Sequence, residues 1–142
     1  MNFEFTITGH DLTENEIRAY EAGAKINLPP KYRAFLLKHN GLAPKGMIYS
    51  GTGFEADVSE IYPLFLLDNR ARTTVVSATK DLIWFAGDSG GGEFAIAFTG
   101  KSFGKVFWFD IPHSEIEHPG SADCTLVAAT FDMFLNSLKT YD

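Results

Sequence analysis

Three apolar runs of strand length, separated only by glycine-bearing connectors, constrain this chain more than any other feature. Leu82 to Ala86, Phe94 to Phe98 and Val106 to Phe109 are joined by Gly87 to Glu93 and by Gly100 to Gly104. A parallel pair of strands needs a crossover of a dozen or more residues, so connectors this short predict an antiparallel meander. No run in the chain approaches the roughly 18 apolar residues of a membrane span. Trp84 and Trp108 fall inside these strands and read as core anchors, with a place beside a binding groove as the alternative.

The segments on either side change period. Phe3, Phe5 and Ile7 alternate with polar residues and predict a short opening strand. Thr13 followed three residues later by Glu16 is a capping box, and Leu12 and Ile17 are placed to staple the start of that helix. Leu28-Pro29-Pro30 ends it and opens a second, in which Tyr32, Phe35, Leu36 and His39 share a face before Asn40-Gly41 stops it. Met47 to Ser50 predicts a strand, as does Val58 to Phe65, where Pro63 implies an edge or a bulge. Residues 69–79 read equally as a short helix or a strand. Val127, Phe131, Phe134, Leu135 and Leu138 predict a C-terminal amphipathic helix capped by Asp123 or Thr125. Helices from both ends around a mostly antiparallel central sheet make the expected fold α+β, as one domain over residues 1–142.

Composition enters as a bound. With 142 residues, 45% of them apolar and 21% charged, the chain has ample core material for one domain and is not disordered. Cys124 is the only cysteine, so no internal disulfide and no cysteine-rich zinc site can form. Met1 to Thr6 lacks the basic and apolar regions of a signal peptide, and a soluble, cytoplasmic protein is expected. The net charge of −6 is unevenly placed: residues 1–80 carry nine acids and nine bases, whereas residues 81–142 carry nine acids and three lysines. Such a field repels phosphate backbones, which argues against direct nucleic-acid binding; it would attract a basic partner, with the solubility of a small protein as the alternative reading.

No motif assembles a catalytic set. Gly87-Asp88-Ser89-Gly90-Gly91 matches the nucleophile string of trypsin-like proteases, but that chemistry needs two barrels and a positioned base. The better reading is a turn in which Asp88 or Ser89 bonds the backbone. The same glycines lack the lysine and the following helix of a phosphate-binding loop. His113, Glu115, Glu117 and His118 crowd a loop between Pro112 and Pro119 without the spacing of a metal site, so neither metal nor cofactor is expected.

Four blocks in order resemble the SUKH superfamily. Leu28-Pro29-Pro30-Lys31-Tyr32-Arg33-Ala34-Phe35-Leu36-Leu37-Lys38-His39-Asn40-Gly41 is similar to its opening signature. Leu82 to Gly91 resembles its apolar strand leading into an aspartate and paired glycines, and Gly104 to Asp110 its next strand. Val127 to Leu135 resembles its closing helix. Leu42 stands where the family often has a second glycine, and Ile111-Pro112-His113 follows Asp110 where it often has His-Glu. The resemblance implies a non-catalytic α+β domain whose bacterial members are mainly immunity proteins that neutralise toxins, often nucleases, while fungal relatives act as scaffolds in cell-wall signalling. On that reading Asp88, Glu93, Asp110, Glu115 and Glu117 are the candidate contacts to a basic cognate toxin. A regulatory scaffold and a small-ligand-binding domain are the alternatives.

Overall fold

A computed structural model describes residues 5–51, 54–67, 81–109 and 124–140. The expected meander is present and longer than anticipated. Strands β6 (Leu82–Gly87), β7 (Glu93–Ala97), β8 (Val106–Phe109) and β9 (Cys124–Ala128) pair antiparallel in succession. With β1 (Phe5–Ile7), β2 (Leu42–Pro44) and β5 (Glu60–Ile61) they form a seven-stranded sheet in the order β1-β2-β5-β6-β7-β8-β9. A second sheet of three strands, β10-β3-β4, joins β10 (Leu138–Thr140) to the hairpin of β3 (Met47–Gly51) and β4 (Phe54–Asp57). The fold is α+β, as the sequence implies.

The helices follow their signals. In α1 (Glu14–Ala24) Thr13 and Glu16 make the reciprocal capping box, and Lys25 closes the helix in the left-handed conformation. In α2 (Pro30–Lys38) proline occupies the first turn, where its missing N–H costs nothing, and His39 is the C-terminal cap. Gly41 then takes φ +89°, a conformation that favours glycine, and turns the chain into β2.

Three expectations are corrected. The segment after Val58 is a strand only at Glu60–Ile61, and it lies between β2 and β6 rather than at an edge. Pro63 ends it, and its carbonyl accepts the Leu66 N–H as residues 64–67 turn helical. The C-terminal helix starts later than its apolar spacing suggests: α3 is Phe131–Asn136, capped by the Thr130 side chain on the Met133 N–H at 3.1 Å. Neither Asp123 nor Thr125 is that cap, because residues 124–128 pair with β8 instead and Leu138 belongs to β10. The open reading of residues 69–79 lies outside the described residues.

Alternation along β6 and β7 sorts their side chains to two faces. Ile83, Phe85, Phe94 and Ile96 join Ile17 of α1, Tyr32 and Leu36 of α2, and Phe131 and Phe134 of α3 in the main core. A register shift between Trp84 and Ala86 sends both Phe85 and Ala86 into that core. Phe85 meets Phe131 and Phe134 edge-on with ring centroids 5.4 Å apart. Trp84, Ala95 and Phe109 form a separate cluster on the other face. Tyr49 of the small sheet stacks on Phe134 and donates to the Val127 carbonyl, which docks the β3–β4 hairpin against the end of the large sheet.

Candidate functional site

The turn between β6 and β7 is built around one carboxylate. Asp88 Oδ1 accepts the N–H of Gly90 at 2.9 Å and of Gly92 at 2.7 Å, and Oδ2 accepts the indole Nε1–H of Trp108 at 2.9 Å. The first two bonds are the backbone role expected of Asp88. The third reaches across to β8, where Trp108 pairs with Phe94. Gly92 is required here by space: a Cβ would sit 2.7 Å from Trp108 Nε1 and on Asp88 Oδ2.

The β3–β4 hairpin supplies a facing wall. Asp57, the last residue of β4, accepts the Ser89 N–H on its carboxylate at 3.1 Å and 3.2 Å. Glu55, two residues earlier, accepts the Ser50 hydroxyl at 3.1 Å across the hairpin. Between the two walls lies an open cleft of about 430 Å³ lined by Ile48, Glu55, Ala56, Asp57, Asp88, Ser89, Gly90 and Trp108. Three carboxylates and an indole therefore border one cleft, and among the described residues no lysine or arginine lines it.

Of the sequence-stated contacts, Asp88 lies in this cleft. Glu93 stands at the start of β7 outside its lining, with its carboxylate accepting the hydroxyl of the buried Tyr62 at 2.9 Å. Asp110, Glu115 and Glu117 lie outside the described residues. Glu55 and Asp57 were not singled out in the sequence, because they belong to the electrically neutral half and only the pairing of β3 with β4 presents them to the turn. Of the two tryptophans, Trp84 is 2% exposed and packs on Phe109, while Trp108 borders the cleft.

Chemically the described lining of the cleft combines negative charge with the indole of Trp108. Ser89 commits its N–H to Asp57, and the two described histidines stand elsewhere, His10 bonded to Glu16 and His39 capping α2. Among the described residues no group of three His, Cys, Asp or Glu is placed to hold a metal ion. No helix among the described residues is long and apolar enough to cross a membrane.

The order of these elements agrees with a family model, that of the SMI1 / KNR4 family (SUKH-1), which matches residues 11–137. The chain belongs to the SMI1/KNR4 family. No curated protein and no solved structure gives a significant match. Within this SMI1/KNR4 chain the four blocks that carried the resemblance form α2, β6 with its turn, β8, and the end of β9 with α3. Asp88 and Trp108 come from the second and third of those blocks. The opposite wall of the cleft, Ile48 to Asp57, comes from outside all four.

Proposed function

We propose that this SMI1/KNR4-family chain is a cytoplasmic immunity protein, one that binds a basic cognate toxin and blocks it by occlusion, with no chemistry of its own. The observation that carries this reading is the acidic cleft itself, which presents Glu55, Asp57 and Asp88 with no basic residue among the described residues of its lining. Covering the cationic channel of a nuclease needs such a surface, because it competes with the phosphates the channel normally holds. Glu93, Asp110, Glu115 and Glu117 belong with Asp88 to the acidic residues 81–142 and extend the proposed contact set.

The test is protection. The tagged chain is used to draw partners from its source cells at low salt, and each basic partner released by rising salt is assayed for toxicity and nuclease activity with and without the purified chain. Stoichiometric inhibition of a toxin supports the immunity reading. Recovery of signalling or cell-wall proteins alone, with no inhibited toxin, would replace it by the scaffold reading.

A further inference from the structure

We propose that the cleft receives an arginine side chain of the basic partner, with Trp108 as the surface that recognises it and Asp88 as the residue that positions Trp108. This rests on the partner-binding reading above and names the chemical group that enters. Ile48 and Trp108 give the cleft an apolar lining suited to an aliphatic stem, while Glu55, Asp57 and Asp88 supply negative charge. Every hydrogen bond described for these three carboxylates comes from a neutral donor, whether a backbone N–H, the Ser50 hydroxyl or the Trp108 indole. Their charge is thus left for an incoming cation: Asp88 Oδ1 is filled by its two N–H donors, but Asp88 Oδ2 and the oxygens of Glu55 and Asp57 accept no more than one described bond each and retain a lone pair.

Two features select arginine over lysine. A guanidinium is planar and weakly hydrated, so it stacks on an indole at smaller desolvation cost than an ammonium. Its five donors also reach two carboxylates at once, whereas an ammonium is a compact point charge. Trp108 can serve this role only in a fixed orientation, and the Asp88 Oδ2 bond to its indole N–H helps to hold that orientation, with Gly92 packed close on the ring.

The test uses the whole chain labelled with ¹⁵N and titrated with N-acetylarginine amide or N-acetyllysine amide, reading the two indole N–H resonances. Arginine is expected to move the Trp108 resonance saturably, binding about five-fold more tightly than lysine, with the buried Trp84 resonance unmoved. The double variant Glu55→Gln with Asp57→Asn should weaken arginine binding about three- to five-fold. An absent shift, an equal response to both probes, or full binding by that double variant would overturn the proposal. Asp88→Asn keeps an oxygen for the turn glycines but loses the indole acceptor. It should displace the Trp108 resonance before any probe is added and weaken arginine binding, whereas unchanged binding would refute the positioning role. Arginine binding without protection against any toxin would sink only the immunity reading, and protection without arginine binding would sink only this one.

Discussion

Tyr32 is fully buried among Phe85 and Phe131, and no hydrogen-bond partner for its hydroxyl is present among the described residues. Burying an unsatisfied hydroxyl is costly, so Tyr32→Phe should stabilise the fold by about 1 kcal/mol, or about 3 °C in melting temperature. Burial also pushes the Tyr32 phenol well above its ordinary value. Above about pH 10 the unfolded chain releases that proton while the folded chain keeps it, so native stability falls as pH rises. Phenylalanine lacks this loss, and denaturant melts between pH 9 and about 11 should show the variant's advantage widening. An advantage that shrinks with pH would contradict it. The sequence placed Tyr32 on a core face correctly through its spacing with Phe35 and Leu36, but spacing carries no account of a hydroxyl's partners. The same limit applied at the site: Asp88 was legible as a turn residue from its glycine neighbours, whereas its bond to Trp108, twenty positions on, depends on how β8 pairs with β7.

Among the elements, those with local punctuation were read and those set by pairing were not. The capping box of α1, the proline start of α2 and the glycine turns of the meander each have their cause within four residues. At the C-terminus the apolar residues from Val127 to Leu138 fit a helical spacing, yet the first belong to β9 because Val106 to Phe109 offer an edge to pair with. Strand pairing there outweighs the local preference, and the helix begins only where Thr130 can cap it. Thr130→Ala should therefore destabilise the protein by about 1 kcal/mol through loss of that cap. Thr125, the residue whose spacing suggested a cap, sits in β9, and its replacement by serine should leave the helix intact. Urea unfolding of both variants separates the two assignments: a larger loss at Thr125 than at Thr130 would restore the earlier helix start. Pro63 teaches the complementary lesson. By sequence its ring implies an edge or a bulge within a strand, but it ends the ladder outright and the chain answers with a helical turn, for which residues 58 to 65 carry no clear period.

At the scale of the whole molecule, the charge reading and the folded surface divide the acids differently. By sequence, the excess of nine acids over three lysines lies in residues 81–142, yet two of the three cleft carboxylates come from the balanced first half. Chain distance hid this, because β4 is brought to the β6–β7 turn by long-range contacts: the Asp57 bond to Ser89, the Ser59 bonds to the Gly87 carbonyl and the docking of the small sheet. The distinction has a kinetic consequence. If the diffuse charge of the C-terminal half governs association, any carboxylate there should matter about equally. If the cleft governs it, Asp57→Asn should slow association with the captured partner about three-fold at low salt, while Asp132→Asn, an equal change of charge on α3 outside the cleft lining, should barely change it. Raising the ionic strength to about 0.5 M shortens the screening length to about 4 Å and should bring the three proteins' association rates together. Stopped-flow mixing across that salt range decides the matter: equal slowing by the cleft and α3 variants assigns the steering to net charge, and a salt-insensitive difference assigns it to contact rather than field.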